Sequence, residues 1–382
     1  MRIAQIVANL DIGGLERLAV DLAGAQKAAG HLPTIYCLGK KGVFAAQAES
    51  TGIPVIAFEK GAGMSPRTVW QIAQQLRRDR PDVLHGHNHL VHHYAVAASR
   101  LAGVPVVANT RHGAEVRILE KPDGSGFYRN DESPDKKADM IFRAALPWTD
   151  ALIFISEDTR RFFVEHRGIP IEKTHVILNG APLEPFLARM AAPGSVPSRF
   201  RFGTAGRLVP VKNHLLLIDA FAIVARTLAN AELHIAGDGP MLRRVEQKIE
   251  EHGIQQRVFL HGALADMPGF MSGLDAFVLS SLSEGLPITI LEAMAAGLPI
   301  ASTRVAGVPE AAPEGQVALY SENGDTDGLA QAMIALANRA DLVEMGQRGR
   351  RSAQTRFTIE HTWKEHHMLF QSLLDGASLK AA

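Results

Sequence analysis

The feature that most constrains the fold of this chain is a regular alternation of short apolar runs with longer amphipathic segments. Runs of about five residues rich in Val and Ile predict strands, and the segments between them have apolar residues at helical spacing. Because parallel strands need crossover connections, this alternation predicts parallel sheets with right-handed helical crossovers. In the first half, the expected strands are 3–8, 34–38, 55–58, 83–85, 106–109, 152–155 and 176–178.

The same alternation begins again after residues 187–199, a run rich in Pro, Gly and Ser that is the best candidate for a linker. Its expected strands are 202–205, 233–236, 258–260, 276–279, 300–302 and 317–319. The expected helices are 214–227, 241–252, 288–296 and 326–338. A length of 382 residues fits two domains of this kind.

We therefore expect an α/β protein made of two facing, Rossmann-like, doubly wound parallel-sheet domains. The N-terminal domain is assigned to residues 1–186 and the C-terminal domain to residues 200–355. An amphipathic helix within residues 356–382 is expected to pack back on the N-terminal domain. Because such sheets bind ligands at the carboxyl ends of their strands, an interdomain cleft is the expected ligand site.

The composition argues against several classes of function. The 40 Lys and Arg residues balance 40 Asp and Glu residues, so there is no overall basic charge of the kind that binds nucleic acid. Cys37, the single cysteine, cannot form an internal disulfide, which favours a reducing compartment. The first apolar run, residues 3–8, is too short for a signal peptide or a membrane span. We expect a cytoplasmic protein, with a peripheral contact at the inner face of the membrane left open.

The most informative segment is SEGLPITILEA, which follows a strongly apolar strand. Gly285 and Pro287 favour a tight turn, and a helix is expected to begin at Ile288. Glu284 then lies in the loop, and Glu292 lies in the opening turns of the helix. The unpaired amides of the helix start can bind a phosphate, and a carboxylate beside them can accept hydrogen bonds from sugar hydroxyls. The alternative is that both glutamates only stabilise the helix N-terminus.

A second segment, GRLVPVKNH, connects the first strand of the second domain to its first helix. Arg207 and Lys212 leave the carboxyl edge of the sheet there, and Asn213 can cap the helix. A guanidinium fork and an ammonium group are a suitable pair for binding a diphosphate. The alternative is two solvated loop cations.

A third segment, NLDIGGLE, is another strand-to-helix turn. Gly13 and Gly14 would let the backbone approach a ligand closely. The segment is neither GxGxxG nor a P-loop, so a dinucleotide oxidoreductase is disfavoured and a tight packing turn is the alternative.

Histidines crowd one part of the first half, at His85, His87, His89, His92 and His93. No cysteine or well-spaced carboxylate completes a ligand set, so a metal site is disfavoured. His112, in NTRHG, follows the end of another expected strand. It could donate a hydrogen bond to a substrate or move a proton, and an ordinary loop histidine is the alternative.

Together these segments resemble the GT-B glycosyltransferases of glycosyltransferase family four. SEGLPITILEA, with seven residues between its glutamates, is similar to that family's donor-site motif. GRLVPVKN is similar to its Arg/Lys diphosphate loop, DIGGLERL to its glycine loop, and ANTRHG to the strand with its active-site histidine. The resemblance extends from residue 3 to about residue 372. It departs at Ala181 and Pro182, since the family usually has an Asp soon after Asn-Gly.

The resemblance implies a retaining, metal-independent hexosyltransferase. It would transfer a sugar from a nucleotide diphosphate sugar, with UDP favoured over GDP, to a hydroxyl of a glycan, a lipid-linked or a small-molecule acceptor. The expected context is envelope polysaccharide or glycolipid synthesis, with no cofactor besides the donor. The expected catalytic residues are His112, Arg207, Lys212 and Glu284. The expected donor-binding residues are Gly13, Gly14, Arg207, Lys212, Gly285, Leu286, Pro287, Ile288 and Glu292.

By analogy with the family, Glu292 would hold the ribose hydroxyls and Glu284 the hydroxyls of the donor sugar. Two other classes stay open at this point: a nucleotide-sugar isomerase or hydrolase on the same scaffold, and a non-catalytic nucleotide-sugar-binding protein. Residues 114–143 form a long polar insertion, which we interpret as an acceptor or membrane-surface loop. A disordered surface excursion is the alternative.

Overall fold

The structure is a computed structural model that describes residues 1–11, 13–113, 116–130, 136–191 and 198–381. The chain forms two compact units. The N-terminal unit contains Met1–Ala114, Asp135–Ala181 and Ile359–Ala382, and the C-terminal unit contains Glu115–Pro134 and Pro182–Thr358.

This division differs from the expected domain boundaries in two respects. The chain passes from the N-terminal to the C-terminal unit after Ala181, where the expected end was residue 186. It returns to the N-terminal unit after Thr358, where the expected end of the C-terminal domain was residue 355. Residues 115–134 belong to the C-terminal unit, although their sequence position had assigned them to the N-terminal domain. The expected linker at 187–199 begins at the end of a short helix, and its residues 192–197 lie outside the described residues.

The N-terminal unit is built on a seven-stranded parallel sheet, with elements numbered along the whole chain. Its strands are β1 (Arg2–Val7), β2 (Leu32–Cys37), β3 (Val55–Ala57), β4 (Val83–His87), β5 (Val106–Arg111), β8 (Ala151–Phe154) and β9 (Thr174–Val176). They lie in the order β3-β2-β1-β4-β5-β8-β9. This order is that of a doubly wound sheet that starts at its centre, as the alternating pattern predicted.

Helices connect these strands and bury their apolar sides against the sheet. They are α1 (Gly14–Ala28), α2 (Ala45–Ser50), α3 (Pro66–Asp79), α4 (His89–Ala102), α5 (Lys136–Ala145), α6 (Glu157–Arg167) and the terminal α15 (Ile359–Ala381). Local sequence fixes their ends: the Ser65 hydroxyl accepts from the Thr68 amide at 3.2 Å at the start of α3, and Gly168, with φ 58°, ends α6. Within this unit the Thr362 hydroxyl of α15 donates to the Leu178 carbonyl at 3.0 Å.

The C-terminal unit has a six-stranded parallel sheet of the same kind. Its strands are β10 (Phe200–Ala205), β11 (Ala231–Ala236), β12 (Val258–Gly262), β13 (Ala276–Leu279), β14 (Ile300–Thr303) and β15 (Ala318–Ser321). They lie in the order β12-β11-β10-β13-β14-β15. The predicted fold class, α/β with two Rossmann-like parallel sheets, is confirmed.

The helices of the C-terminal unit cover this second sheet. They are α7 (Glu184–Leu187), α8 (His214–Thr227), α9 (Leu242–His252), α10 (Met267–Ser272), α11 (Ile288–Ala295), α12 (Val308–Ala311), α13 (Thr326–Ala337) and α14 (Leu342–Arg356). The centre of its core is almost wholly apolar, with Phe202, Leu217, Phe221 and Leu233 all fully buried. In the described part of the chain, no helix combines the length and the apolar character needed to cross a bilayer.

The polar insertion at 114–143 contains a β-hairpin that the sequence pattern did not predict. Strand β6 (Arg117–Glu120) pairs antiparallel with β7 (Phe127–Asn130). Phe127 is only 8% exposed and joins the core of the C-terminal unit beside α8 and α9. On α9, the Arg244 guanidinium pairs with the Glu120 carboxylate at 2.8 Å and lies 5.1 Å from the centre of the Phe127 ring. The hairpin is therefore an ordered part of that unit, because one aromatic side chain anchors it. Residues 114, 115 and 131–135 of the insertion lie outside the described residues.

Replacing this anchor is expected to destabilise the C-terminal unit. Phe127→Ala removes a buried ring from the core and should lower the free energy of unfolding by about 3 kcal/mol. The matched control is Tyr128→Ala on the neighbouring residue, which is 42% exposed and should change stability by less than about 0.5 kcal/mol. Thermal unfolding of both variants tests this. Equal midpoints for the two would show that the hairpin is not anchored through Phe127.

Candidate functional site

The turn after β10 carries both predicted cations of the C-terminal unit. Gly206 leaves the strand, Arg207 is exposed, and a short 3-10 helix, Pro210–Lys212, leads to α8. The expected capping role of Asn213 is wrong. Asn213 stands before α8 with a left-handed backbone, φ 50°, and its side chain makes no capping hydrogen bond, because that role needs an extended backbone.

A neighbouring loop, after β11, fixes the shape of this turn. The Leu208 amide donates to the Asp238 carbonyl at 2.9 Å. Gly237 and Gly239 have φ of 147° and 157°, in the region that favours glycine. A Cβ on Gly237 would lie 1.9 Å from the Gly206 carbonyl oxygen. The two backbones are therefore in contact, with no room for a side chain on Gly237. Sequence reasoning gave these glycines no role, although a Gly-x-Gly directly after a strand was a usable signal.

The loop after β13 brings a predicted glutamate against the predicted lysine. Lys212 Nζ donates to Glu284 Oε1 at 2.6 Å, and the Ser281 hydroxyl donates to the same oxygen at 2.6 Å. The side chains of Lys212 and Glu284 are 23% and 12% exposed, so the pair is largely withdrawn from water but still reachable. The structure therefore joins the two segments that the sequence had singled out separately.

Strand order explains why these two loops meet. Strands β10 and β13 are neighbours in the parallel sheet, so their carboxyl ends lie side by side. Two hydrogen bonds then join the loops: the Leu282 amide donates to the Val211 carbonyl at 2.8 Å, and the Ser280 hydroxyl donates to the Lys212 carbonyl at 2.9 Å. A cation and a carboxylate are thus held rigidly at one edge of the sheet.

Helix α11 begins directly after this loop. Pro287 precedes its first residue, Ile288, and Leu286 is buried at 3% exposure. The Gly307 amide donates to the Gly285 carbonyl at 2.8 Å, which fixes the turn. The first amides of a helix lack intrahelical partners and carry a partial positive charge, so this helix start suits an anion. Glu292 lies in the second turn of the same helix.

Arg207 is not part of the hydrogen-bonded group around Glu284. Within the described residues, that group consists of Lys212, Ser281 and Glu284. Arg207 extends into solvent from the preceding turn, which leaves its guanidinium able to reorient toward a ligand.

The predicted glycine pair lies in the N-terminal unit, at the start of α1. Gly13 has φ −172°, which any residue can adopt, and a Cβ there would come 2.1 Å from Glu16 Oε2. A Cβ on Gly14 would meet nothing within 4 Å. The backbone conformation therefore does not require glycine at either position. The space beside Gly14 is open, and the space beside Gly13 is occupied only by the end of the flexible Glu16 side chain. The residue before them, Ile12, is outside the described residues.

The predicted histidine, His112, belongs to a buried imidazole network in the same unit. His112 Nε2 and His87 Nδ1 lie 3.0 Å apart, and His87 Nε2 lies 2.9 Å from the side-chain amide of Gln5. The Asn88 side-chain oxygen accepts from the His112 amide at 3.1 Å, and Asn88 itself has a φ of 68°. Sequence reasoning had noted His87 only as part of a histidine cluster, and it missed Asn88.

Burial keeps these imidazoles neutral. Loss of solvation, together with the nearby charges of His366 and Arg111, lowers the pKa of His112 to about 3. Loss of solvation also holds the pKa of His85 and of His87 well below the ordinary value. At neutral pH, His112 is therefore suited to hydrogen bonding rather than to supplying a proton.

These histidines make stability depend on pH. Burial lowers the pKa of His92 to about 3 and of His366 to about 4, against 6.5 for an unperturbed histidine. Between those values the unfolded chain binds more protons, so stability is fully present above pH 6.5 and is lost as the pH falls. Each group contributes at most about 1.4 kcal/mol per pH unit. We expect the thermal midpoint to fall steadily from pH 7 to pH 5.

Two variants separate this effect from general acid denaturation. His112→Asn should make the dependence on pH shallower, because one buried imidazole no longer takes up a proton on unfolding. His166→Asn, at an exposed position of α6, should leave the slope unchanged. A wild-type midpoint that does not change between pH 7 and pH 5 would contradict the account.

Two other members of the histidine cluster, His92 and His93, make contacts inside the N-terminal unit. His92 is fully buried on α4, with Nε2 at 2.8 Å from the Thr149 hydroxyl, and His93 packs on Tyr94 with ring centres 4.4 Å apart. Over the described ranges, no three His, Cys, Asp or Glu side chains are grouped so that they could hold a metal ion.

Two family models match this chain. One, described as Glycosyltransferase Family 4, matches residues 12–185, and the other, described as Glycosyl transferases group 1, matches residues 199–339. The first range includes Gly13, Gly14 and His112, and the second includes the loops that carry Lys212 and Glu284.

Curated proteins and solved structures are similar to the chain as well. The Escherichia coli UDP-Gal:alpha-D-GlcNAc-diphosphoundecaprenol alpha-1,3-galactosyltransferase is 27% identical over 223 residues, which is 56% of this chain and 55% of that protein. The Bacillus anthracis N-acetyl-alpha-D-glucosaminyl L-malate synthase is 25% identical over 316 residues, 80% of this chain and 78% of that protein. The Anabaena HepE structure in complex with UDP has a TM-score of 0.81 at 20% identity and covers 97% of this chain and 100% of that one.

These similarities support different conclusions about the chain. The match to HepE, at 20% identity, shows the fold alone. The chain spans about half the length of the first curated relatives that it matches.

Proposed function

Since this chain belongs to the GT-B glycosyltransferases of family four, we propose that it transfers a sugar from a nucleotide diphosphate donor to an acceptor hydroxyl. The observation that carries the proposal is the contact between Lys212 and Glu284, 2.6 Å apart at the edge of the sheet where α11 begins. A cation, a carboxylate and a helix start in one place match the charges of a diphosphate joined to a hydroxylated sugar.

The donor is proposed to lie along the C-terminal unit. Its diphosphate would contact Lys212, Arg207 and the first amides of α11, within the segment Gly285 to Ile288. Its ribose hydroxyls would bind the Glu292 carboxylate, and the hydroxyls of the transferred sugar would bind Glu284. A UDP-sugar is favoured over a GDP-sugar, because the Escherichia coli relative is named for UDP-Gal. The proposed reaction requires no metal and no cofactor beyond this donor.

The proposed reaction breaks the bond between the anomeric carbon and the diphosphate oxygen. Positive charge develops on the sugar ring and negative charge on the leaving diphosphate. Fixed cations and amides that face the diphosphate stabilise that negative charge as it forms, which lowers the barrier. The acceptor hydroxyl oxygen forms the new bond, and its proton passes to a departing phosphate oxygen. Attack from the face that the diphosphate leaves retains the anomeric configuration.

The N-terminal unit is proposed to contribute its glycine turn and its histidine. Gly13 and Gly14 offer backbone without side chains, so a donor can approach closely. His112, neutral at pH 7 because its pKa is lowered to about 3, would hydrogen-bond a hydroxyl of the transferred sugar. The acceptor is proposed to be a glycan, lipid-linked or small-molecule hydroxyl in envelope polysaccharide or glycolipid synthesis. The protein is proposed to reach such an acceptor through a peripheral contact with the inner face of a membrane.

Release of nucleoside diphosphate tests this function. A thermal-shift screen with UDP-, GDP- and ADP-sugars first identifies the donor, since a ligand at a hundredfold excess over its Kd stabilises the folded state by about 2.7 kcal/mol. With that donor, we expect release only when an acceptor is present, and an unchanged anomeric configuration in the product by NMR. Release without any acceptor would instead indicate a hydrolase or isomerase, and binding without turnover a non-catalytic protein.

A further inference from the structure

The side chain of Gln5, on β1, lies between helix α1 and the imidazole of His87. It is fully buried, and its amide group is 2.9 Å from His87 Nε2. The same amide group meets two backbone atoms of α1, the Ala19 carbonyl oxygen at 3.3 Å and the Ala23 nitrogen at 3.2 Å. A backbone carbonyl only accepts hydrogen bonds and a backbone N–H only donates them. These two atoms therefore determine which end of the Gln5 amide is the nitrogen.

The nitrogen of the Gln5 amide faces His87. It donates to the Ala19 carbonyl and to His87 Nε2, and the Gln5 oxygen accepts from the Ala23 amide. The oxygen is also 3.1 Å from the side-chain amide of Gln26, whose nitrogen has no other hydrogen-bond partner in the part of the chain that the structure describes. The opposite orientation would set oxygen against oxygen at Ala19 and N–H against N–H at Ala23, two buried mismatches that cost free energy.

This hydrogen bond fixes the tautomer of His87. Burial holds the pKa of His87 well below its ordinary value, so its ring is neutral and carries one proton. Because Nε2 accepts from Gln5, that proton is on Nδ1, which is 3.0 Å from His112 Nε2. The two rings are nearly coplanar, with an angle of 22° between their planes and centres 5.3 Å apart, so the N–H lies along the line between them. His87 therefore donates, and His112 Nε2 accepts.

The same reasoning fixes the tautomer of His112. Its pKa is lowered to about 3 by burial, so the ring is neutral, and with Nε2 accepting, its one proton is on Nδ1. Among the described residues, none forms a hydrogen bond with His112 Nδ1, and the residue is only partly buried. The Asn88 side-chain oxygen accepts from the backbone amide of His112 and so fixes where the ring begins. His112 therefore presents one N–H donor to a ligand.

We propose that Gln5 and His87 are positioning residues that keep the proton of His112 on Nδ1, where it donates to an oxygen of the transferred sugar. The inference rests on the proposed function and deepens it, because it states which atom of His112 meets the sugar and that this atom is a donor. A nitrogen that already carries a proton cannot take one from the acceptor hydroxyl. His112 therefore binds the sugar and does not act as the base of the reaction.

Nitrogen NMR of the full chain with isotope-labelled histidine tests the tautomer directly. Correlations between the ring nitrogens and the carbon-bound ring protons distinguish a proton on Nδ1 from a proton on Nε2. The spectrum of His112→Asn identifies the His112 signals by their loss. We expect the wild-type protein at neutral pH to have the His112 proton on Nδ1. A proton on Nε2, or a ring that exchanges between both forms, would overturn the proposal.

Gln5→Leu tests whether Gln5 sets this tautomer. Leucine keeps a buried side chain of similar size but donates no hydrogen bond, so we expect His112 to exchange between its two tautomers. The matched control is Gln26→Leu, which removes an equally buried amide that contacts Gln5 but not His87, and it should leave the His112 signals unchanged. Unchanged signals in Gln5→Leu, or equal changes in both variants, would contradict the role of Gln5. The wild-type spectrum decides the tautomer even if Gln5→Leu does not fold.

Calorimetry with the sugar nucleotide found by thermal shift, and with its nucleoside diphosphate, separates this inference from the proposed function. Only the sugar nucleotide has sugar oxygens for His112 to contact. Gln5→Leu should therefore weaken it by about two- to tenfold, the range of one hydrogen bond, and leave the nucleoside diphosphate unchanged.

The outcomes that would fail this test are distinct. Equal losses for both ligands, or no loss for either, would refute the positioning role and leave the proposed function standing. A wild-type protein that binds no nucleotide would refute the proposed function and with it the contact to the sugar, whichever tautomer the spectrum shows.

Discussion

Lys212→Ala is expected to reduce kcat/KM for sugar transfer by about 10² to 10³, the effect of removing one fixed donor that faces developing charge. Lys212 Nζ is held 2.6 Å from Glu284 beside the start of α11, where the diphosphate is proposed to leave. A truncated side chain would remove that charge and leave the Glu284 carboxylate to repel the diphosphate. Steady-state kinetics with the donor found by thermal shift measure the effect.

The chain offers a matched control for this variant. Lys248 on α9 also pairs with a carboxylate, with its Nζ 3.1 Å from Asp219 Oδ1, and its side chain is 16% exposed. Lys248→Ala therefore removes a similar ion pair from the same unit without touching the proposed site. We expect wild-type kinetics for Lys248→Ala and an unchanged thermal midpoint, within a few degrees, for Lys212→Ala. Wild-type kinetics in Lys212→Ala would refute the role assigned to this lysine.

Gly237→Ala is expected to destabilise the C-terminal unit by about 3 kcal/mol and to abolish donor binding. The new Cβ would lie 1.9 Å from the Gly206 carbonyl oxygen, and the φ of 147° is unfavourable for alanine. Relief of that overlap must move the backbone from which Arg207 and Lys212 extend. Chemical unfolding and nucleotide calorimetry measure the two effects.

Gly253→Ala is the control for this substitution. Gly253 also has a positive φ, 66°, but a Cβ there would meet nothing within 4 Å. It should therefore cost only the backbone strain, about 1 kcal/mol, with donor binding retained. Equal losses in the two variants would mean that the contact between the two loops does not matter.

Much of the fold could be predicted because local pattern and global structure agree. Helix α8 occupies 214–227, as predicted, since its apolar residues recur with helical spacing between a turn and a short loop. The hairpin at 117–130 could not be predicted in this way. Its strands carry charged residues, and their order depends on Phe127 entering the core of the C-terminal unit, a contact between parts of the chain far apart in sequence.

The candidate site was predictable to a similar extent. Lys212 and Glu284 follow strands that the pattern identified, and the carboxyl ends of parallel strands share one edge, so their meeting at 2.6 Å could be anticipated. The touching backbones at Gly237 and the Asn88 bond to His112 depend on the relative positions of separate loops. The Gly-x-Gly after β11 marks a close backbone approach, but no sequence pattern shows which backbone it contacts or that Asn88 meets His112, so these supporting residues were missed while the charged ones were found.

The most direct test of the central claim, that the turn with Lys212 and the start of α11 bind a diphosphate, is a comparison of nucleotide and nucleoside affinities by calorimetry. The wild-type protein and Lys212→Ala would each be titrated with UDP and uridine, and with GDP and guanosine in parallel. The account predicts that Lys212→Ala loses at least about tenfold in affinity for the diphosphate and none for the matching nucleoside, since a charge-assisted hydrogen bond is lost only there. An unchanged affinity for the diphosphate, or equal losses for diphosphate and nucleoside, would contradict it.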